Sequence, residues 1–227
     1  MRAALAGSPD AGRRDGGRDG RRLRREAQLI DGALECIGSL GLRDTTVQDV
    51  AVRAGMAVGS ISQYFESKEQ LFTAVLLSLS EEFESTWRRG LDAAGGDPAL
   101  RLRRFVECYF GPAVCQRKKV AVWFAFWGEV KARPRYREVC AGYDRRHDEA
   151  LEELCAALIG AGGYRALEPR RAAKIIASIC HGLWLELLTG TDGLKRTELS
   201  ELARANLAAL FPGHAATFVA ADPPAAG

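Results

Sequence analysis

The sequence lacks the patterns by which metal-binding, secreted and membrane-spanning chains are recognised. Its six cysteines form no Cys-x-x-Cys pair and stand among apolar neighbours, which predicts buried reduced thiols and no metal site. The first thirty residues contain no apolar stretch of the length that a secretory signal needs. The longest uncharged runs, such as Leu71–Ser80 and Ile175–Leu185, are shorter than the roughly 18–20 residues that cross a bilayer. We therefore expect a cytoplasmic protein with no membrane partner.

Strand signals are also missing, because no stretch shows sustained alternation of apolar and polar residues between hairpin turns. Apolar residues recur instead every three or four positions along almost the whole chain. The 227 residues, 47% of them apolar and 27% charged, suffice for sizeable cores and rule out a wholly disordered chain. The sequence therefore predicts an all-α fold.

Positive charge is concentrated at the amino terminus, although the whole chain carries a formal charge of only +3. Residues 1–25 contain eight arginines and three aspartates, whereas residues 26–68 contain three basic and six acidic residues. Arginine pairs with phosphate through a planar fork of donors, so a short basic arm suits a polyanion. Arg22, Arg24 and Arg25 run directly into a helical pattern and are predicted to contact DNA.

Short helices follow this arm. The first is predicted from about Arg22 to Leu40, and the second begins at Thr45, with Gln48 three residues later as in a capping box. A turn that contains Gly55 leads to a very short third helix over about residues 57–64. Two short helices joined in this way have the layout of a helix-turn-helix, whose second helix enters the major groove of DNA.

The third helix has residues suited to reading DNA. Val58, Ile61 and Phe65 have the spacing to pack inward, which leaves the intervening side chains to face outward. Small residues permit close approach, and a glutamine amide can bond a base edge. Thr46 and Lys68, at the starts of the flanking helices, are positioned to hold phosphates. The predicted outward set is Gly59, Ser60, Ser62, Gln63 and Tyr64.

Residues 22–72 resemble the amino-terminal domain of the TetR/AcrR family of transcriptional regulators. The sharpest matches are Thr46-Val-Gln-Asp-Val-Ala-Val-Arg-Ala-Gly55 and Gly59-Ser-Ile-Ser-Gln-Tyr-Phe-Glu-Ser-Lys-Glu-Gln-Leu-Phe72. The resemblance implies a three-helix DNA-binding head, a larger helical body that binds ligand, and a homodimer joined through the last two helices. It also implies phosphate contacts from Thr46, Tyr64 and Lys68, and places Gln48 with the residues that face the groove. Ala57 departs from the family pattern, because many members have a capping serine there.

The domain organisation follows from these patterns. We expect a disordered basic leader over residues 1–20, a helix-turn-helix domain over 21–67, a ligand-binding and dimerisation domain over 68–212, and a disordered tail over 213–227. The later helices are predicted over about residues 98–114, 116–131, 135–159, 169–189 and 195–210.

Aromatic residues are dense in the predicted body, and several pairs stand four residues apart on one helix face. Such stripes commonly fill a core, but the density of tryptophan beside polar residues also suits a pocket. The candidate ligand-binding residues are Phe105, Tyr109, Trp123, Trp127, Tyr143, His147 and Trp184.

Three motifs in this half resemble one branch of the family, the choline-responsive regulators of glycine betaine synthesis. They are Trp123-Phe-Ala-Phe-Trp127, Arg135-Tyr-Arg137 and Gly182-Leu-Trp-Leu185. The resemblance implies an aromatic cage for a quaternary ammonium group. His181 stands where the branch often has an aspartate, which removes one carboxylate from such a site, so choline is one candidate.

Apolar stripes on the last two long helices predict a dimer interface. Two such helices from each subunit can form a four-helix bundle, although one stripe can also face its own core. The predicted interface residues are Ile176, Ile179, Leu183, Leu187, Leu199 and Leu202.

Three classes of function are compared. The first is a homodimeric repressor that binds a near-palindromic double-stranded DNA operator, needs no cofactor and is released by a small-molecule inducer. The alternative is a constitutive DNA-binding regulator with a filled body. An enzyme would require a group such as Cys140, Asp144 and His147, but no oxyanion-binding feature accompanies them. We therefore predict no catalytic residue.

Overall fold

The protein is helical in the computed structural model, which describes residues 11–191 and 193–220 apart from the side chains of residues 11–16 and 18. Within those ranges there is no strand, which confirms the predicted fold class. The helices of the described residues are α1 (Ala11–Leu40), α2 (Val47–Arg53), α3 (Val58–Ile61), α4 (Lys68–Ala93), α5 (Pro98–Tyr109), α6 (Arg117–Glu129), α7 (Pro134–Gly162), α8 (Pro169–Thr189), α9 (Arg196–Leu210) and α10 (Ala215–Val219).

The chain forms two compact units whose boundary lies inside α4, between Val75 and Leu76. We call the first unit the head and the second the body. In the head, α2 packs against both α1 and α3. Gly32 permits the close approach of α1 to α2, since a Cβ atom there would lie 3.2 Å from the Cβ of Ala54. The head core consists of buried apolar side chains, among them Leu29, Ala33, Ile37, Val50, Ala51, Ile61, Phe65, Leu71 and Phe72.

Helix α1 begins earlier than predicted, at Ala11 rather than near Arg22. The predicted disordered leader is therefore wrong for residues 11–20, while residues 1–10 lie outside the described part. Adding residues to an existing helix costs far less than starting one, and arginine is a good helix former. The basic segment therefore continues the helix that the head core stabilises, despite its glycines.

In the body, α5 is the central helix and packs against α7, α8, α9 and α10. The start of α5 was predictable, because Asp97 accepts hydrogen bonds from the N–H groups of Ala99 and Leu100, and proline occupies the first helical position. Glu168 and Pro169 begin α8 in the same way. These local signals explain why the predicted and observed bounds of α8 coincide.

The predicted disordered tail is wrong for residues 213–220, and residues 221–227 lie outside the described part. A 3-10 turn over Pro212–His214 leads into α10, whose Phe218 is fully buried and packs near Phe211. Arg103 donates a hydrogen bond to the main-chain oxygen of Thr217 at 2.9 Å. Burial of one aromatic side chain and this charged hydrogen bond hold the segment against α5.

Helix α8 is the one described helix that is long and apolar enough to cross a bilayer by length and composition alone. Core helices of water-soluble proteins have the same properties. Here α8 contacts α6, α7 and α9 and buries Ile176, Cys180 and Trp184 within the body. Packing within the chain therefore accounts for one face of α8, while other apolar residues of the helix, such as Ile175 and Leu185, are exposed.

Candidate functional site

The turn that precedes α2 in the head is held by a capping box. Its N-cap lies one residue later in the chain than predicted. Thr46, not Thr45, is the N-cap of α2, and its hydroxyl accepts from the N–H of Asp49 at 3.1 Å while donating to the Asp49 carboxylate at 2.6 Å. Thr45 is instead buried and donates to the main-chain oxygen of Gly41 at 2.7 Å. These hydrogen bonds from Thr46 lower the pKa of Asp49. Asp49 therefore occupies the donors of Thr46 that were predicted to hold a phosphate.

The short helix α3 presents a largely exposed surface. Gly59, Ser62 and Gln63 are exposed, and Ser60 and Tyr64 are half-buried. Gly59 has no atom within 4 Å of the position of an added Cβ, so its lack of a side chain serves no packing in the described residues. Val58, predicted to pack inward, is 48% exposed, whereas Ile61 and Phe65 are buried as predicted. Ala57 gives α3 no side-chain cap.

Basic residues flank this surface. The ammonium of Lys68, the first residue of α4, lies 5.1 Å from the ring centroid of Phe72. Arg22 donates to Glu26 at 2.9 Å and its guanidinium lies 6.0 Å from the ring of Tyr64. Arg24 and Arg25 are exposed, as is Gln48 of α2.

Arg22, Arg24 and Arg25 were predicted as one DNA-contacting group, but they lie within helix α1 and do not all share a face. Arg22 and Arg25 are three residues apart and share a helix face. Arg24 is two residues from Arg22 and points elsewhere. The three side chains therefore do not form a single patch on α1.

The body contains a cavity of about 320 Å³ among α4, α6, α7 and α8. Five of the seven predicted ligand-binding residues line it, on three different helices. The lining residues are Ser80, Phe83, Glu84, Trp123, Trp127, Tyr143, Asp144, His147, Asp148, Lys174, His181 and Trp184.

Three tryptophans and a histidine form the aromatic side of the cavity. The rings of Trp127 and Trp184 are stacked with an interplanar angle of 18° and centroids 6.4 Å apart. Trp123 lies 5.9 Å from Trp127, and His181 lies 4.9 Å from Trp127 edge to face. The indole N–H of Trp184 donates to the main-chain oxygen of Tyr109 at 2.9 Å, which fixes the plane of that ring. Aromatic faces arranged in this way attract cations.

Phe105 and Tyr109, predicted to bind ligand, lie behind the cavity wall and do not line it. Both are fully buried, because the face of α5 that carries them packs into the body core. The hydroxyl of Tyr109 makes a short hydrogen bond to Nε2 of His147, whose Nδ1 lies 3.3 Å from the carboxylate of Asp148. Both ring nitrogens of His147 therefore have a partner, the Tyr109 hydroxyl at Nε2 and the Asp148 carboxylate at Nδ1. The pair orients His147, which does line the cavity.

Three carboxylates border the cavity, and they differ in whether they form ion pairs. Glu84 pairs with Arg146 and Arg88, each at 2.6 Å, and hydrogen bonds from Arg146 lower its pKa. Asp148 lies near His147 and 3.5 Å from the ammonium of Lys174. Asp144 has no ion pair within the described residues, and desolvation together with the charge of Asp148 raises its pKa.

His181 is a neutral member of this lining at physiological pH. Burial lowers its pKa to about 4, and the nearby His147 adds to the effect. An uncharged imidazole does not repel a cation from the tryptophan faces. The aromatic side of the cavity therefore combines neutral rings with the unpaired carboxylate of Asp144.

Sequence reasoning missed the contribution of α4, which supplies Ser80, Phe83 and Glu84 to the cavity. Phe83 continues the apolar stripe of α4, so its burial was visible, but the stripe does not reveal which residues border a cavity. Asp148 and Lys174 were also missed, because surface charges on long helices usually face solvent.

The predicted dimer stripes divide into buried and exposed residues. Ile176 and Leu199 are buried inside the body, so assigning them to an interface between subunits is wrong. Ile179, Leu183 and Leu187 are half-buried, and Leu202 is 43% exposed. An open groove of about 240 Å³ runs between α8 and α9, bordered by Ile175, Ile179, Asn206, Ala209 and Leu210 among others.

The three residues considered for catalysis do not form a connected group. The thiol of Cys140 is buried and lies 3.4 Å from the hydroxyl of Ser80, and burial raises its pKa. His147 bonds to Tyr109 and Asp148 instead. In the part of the chain that the structure describes, no three His, Cys, Asp or Glu side chains are grouped as metal ligands would be.

Comparisons with known proteins find a matching protein family for each of the two units. Residues 29–75 match the tetR family of bacterial regulatory proteins, and residues 98–212 match the C-terminal domain of BetI-type transcriptional repressors. A BetI transcriptional regulator of Paraburkholderia xenovorans is 34% identical over 166 residues, which cover 73% of this chain and 83% of the relative. A BetI regulator of Burkholderia thailandensis is 33% identical over 169 residues, with the same coverage.

Solved structures share the fold. A transcriptional regulator of Pseudomonas aeruginosa superimposes with a TM-score of 0.72 at 24% identity, covering 86% of this chain and 94% of its own. A regulator of Saccharomonospora viridis, solved in complex with choline, gives a TM-score of 0.67 at 18% identity and covers 82% of this chain and 96% of its own. The relatives in both comparisons are regulators of transcription, not enzymes.

Proposed function

The chain belongs to the TetR family of transcriptional regulators, with a BetI-type C-terminal domain, and from this premise we propose that it is a homodimeric repressor released from its operator by a small organic cation. The observation that carries the proposal is the cavity of about 320 Å³ in which three tryptophans border an unpaired carboxylate. The choline complex of the Saccharomonospora viridis regulator supports the same class of ligand.

A quaternary ammonium suits this cavity for two physical reasons. It cannot donate ordinary hydrogen bonds, so aromatic faces replace its hydration, at about 0.5–2 kcal/mol for each cation–π contact. Asp144 supplies the counter-charge that His181 does not. The inducer contacts assigned here are Trp123, Trp127, Tyr143, His147 and Trp184, with Asp144 added from the cavity lining.

The alternative of a constitutive regulator with a filled body is less favoured. A filled body would have the aromatic side chains packed against one another, whereas Trp127 is 37% exposed and borders open space. Large apolar side chains that border a cavity beside an unpaired carboxylate are typical of a ligand site.

DNA recognition is assigned to the exposed surface of α3 with Gln48, and phosphate contacts to Tyr64, Lys68 and the arginines of α1. Thr46 is left out of the phosphate contacts because its N–H and its hydroxyl both donate to the Asp49 carboxylate. Two heads related by a two-fold axis would read a near-palindromic operator in successive major grooves. The subunit interface is assigned to α8 and α9, through Ile179, Leu183, Leu187 and Leu202. We expect this regulator to work in the cytoplasm, where its DNA target lies.

Helix α4 is the proposed connection between ligand and DNA. It begins at Lys68, only seven residues after the last residue of α3, and carries Phe83 and Glu84 into the cavity lining. A ligand that binds better to one position of α4 shifts the population toward that position. Inducer and operator then weaken each other's binding by the same factor.

The test is a titration of the purified protein with a labelled DNA fragment from the region flanking its own gene. We expect binding of a dimer and its reversal by choline, betaine aldehyde or a larger quaternary ammonium. A matched variant, Trp127→Leu, should bind the same DNA but resist release. DNA binding that no organic cation weakens would instead support the constitutive alternative.

A further inference from the structure

The two ends of the body cavity differ in chemistry. Lys174, His181 and Trp184 line it from one face of α8, in that order along the helix. Lys174 and His181 are seven residues apart, about 10 Å along the helix axis, at the ordinary rise of roughly 1.5 Å per residue. The tryptophans therefore surround one end, and Lys174 with Asp148 borders the other.

Asp144 belongs to the aromatic end. It precedes Asp148 by one turn of α7, and it also borders a smaller adjoining cavity of about 60 Å³ together with Trp123 and Trp127. A positive group between the tryptophans would therefore lie beside an unpaired carboxylate.

Lys174 is the cationic group at the opposite end, where it faces the carboxylate of Asp148. Its side chain is 73% exposed, and its ammonium lies 3.5 Å from Asp148, the outer limit of a hydrogen bond. Asp148 in turn is shared with His147. A lysine ammonium has three donors, so this single long contact leaves it able to bind a further acceptor.

A ligand that carries only positive charge gains no attraction from Lys174, since like charges repel, although solvent screens the repulsion at this exposed ammonium. The repulsion becomes attraction if the ligand brings a negative group to that end. The same lining then provides a carboxylate for the positive group and an ammonium for the negative group.

We propose that the cavity binds a zwitterion, a molecule with a quaternary ammonium at the tryptophan end and a carboxylate directed at Lys174. This inference rests on the proposed function, because it names the ligand of the same regulatory site. The separation between the two ends favours a linker of several carbons, with the lysine side chain reaching across the remaining distance.

Calorimetric titration of the full chain tests the proposal with three probes: choline, trimethylammonioacetate and 4-trimethylammoniobutanoate. We expect the longer zwitterion to bind most tightly, about 5- to 10-fold better than choline, near the upper end of what an ion pair contributes when its ammonium is largely exposed. Lys174→Met should weaken the longer zwitterion by a similar factor and leave choline unchanged or slightly improved.

The matched control is Lys131→Met, which removes an exposed lysine that does not border the cavity. It should alter neither ligand. Choline binding at least as tightly as the longer zwitterion, with Lys174→Met affecting both alike, would overturn this inference while the organic-cation inducer stands. Absence of binding by all three probes would overturn both proposals.

Discussion

The indole N–H of Trp184 donates to the main-chain oxygen of Tyr109 at 2.9 Å, and the same Tyr109 bonds through its hydroxyl to His147. One residue of α5 thus orients two side chains that line the cavity, although it does not line the cavity itself. Trp184 is therefore held in place within the body, whereas Trp127 has no such hydrogen bond in the described residues and is more accessible. Trp184 is 1% exposed, whereas Trp127 is 37% exposed.

Leucine substitutions should distinguish these two groups. Trp184→Leu loses a buried hydrogen bond and leaves a void, so we expect the free energy of unfolding to fall by about 2–4 kcal/mol. Trp127→Leu should cost less than about 1 kcal/mol and still weaken organic-cation binding by about 5-fold or more, because one aromatic face is lost. Urea denaturation and calorimetric titration measure the two effects. Equal destabilisation by both variants would contradict this division.

Asp144→Asn should weaken ligand binding without destabilising the fold. The pKa of Asp144 is raised in the folded chain, so folding disfavours its ionised form. The free energy of unfolding therefore decreases as pH rises from the usual pKa of a carboxyl toward the raised value. The amide removes this penalty, which solvent keeps small because Asp144 is exposed, so the melting temperature at pH 7 should be unchanged or slightly higher. The ionised carboxylate attracts the cation, so binding to the unmodified chain should strengthen as pH rises through the same range, and Asp144→Asn should be insensitive to it. A variant that binds as tightly as the parent would exclude Asp144 as the counter-charge.

His181 should make the fold sensitive to acid. Its pKa is lowered to about 4 by burial, so between pH 6.5 and 4 the unfolded chain binds a proton that the folded chain does not. The stability contributed by the neutral imidazole is present above pH 6.5 and lost as pH falls toward 4. His181→Phe should lose less stability over this interval than the parent, as followed by thermal melts at several pH values. Parallel pH profiles for the two proteins would argue against a buried neutral imidazole.

Particular residues show which parts of the fold could be predicted from the sequence. Asp97 with Pro98 and Glu168 with Pro169 mark helix starts through hydrogen bonds within three residues, and such local signals can be read directly. The burial of Phe218 could not be read, because it depends on Phe211 and α5, which are distant in sequence.

The cavity was only partly predictable, for the same reason. Four-residue spacing correctly puts Trp123 and Trp127 on one face, and it does the same for Phe105 and Tyr109. It does not tell which face borders open space and which packs into the core. The answer depends on how α5, α6 and α8 pack together, and only the structure assigns Tyr109 to the wall and Trp127 to the opening.

Gly59→Ala tests DNA recognition with little risk to the fold. The added methyl group meets no atom within 4 Å, and alanine is the better helix former by about 1 kcal/mol, so stability should be unchanged or improved. If α3 enters the major groove, the methyl group should separate the surfaces and weaken operator binding by about 10-fold or more. Gly128→Ala, at another open helical glycine in the body, is the matched control. Unaltered operator affinity in Gly59→Ala would exclude close approach at this position.

The arginines of α1 should govern the salt dependence of DNA binding. Changing Arg22, Arg24 and Arg25 together to alanine should weaken binding to all sequences and reduce the slope of log K against log salt by about 1–3, because each phosphate contact contributes roughly 0.9. The lower part of that range applies if Arg24, on a different face, makes no contact. A body variant of equal charge change, with Arg165, Arg170 and Arg171 replaced by alanine, should keep the slope. Identical slopes in both variants would remove the arm from the DNA interface.

The interface assigned to α8 and α9 is tested by charges on its exposed residues. Ile175 and Leu202 are 39% and 43% exposed, and Ile175 borders the groove between the two helices. Glutamate at both positions should leave the body folded, because neither side chain belongs to its core, but burying two carboxylates against a second subunit is unfavourable by several kcal/mol. We expect a monomer by analytical ultracentrifugation and at least about 10-fold weaker operator binding, since one head reads only half of a palindrome. Val219→Glu, at a 59% exposed position on α10, should remain dimeric. A double variant that sediments as a dimer would place the interface on another surface.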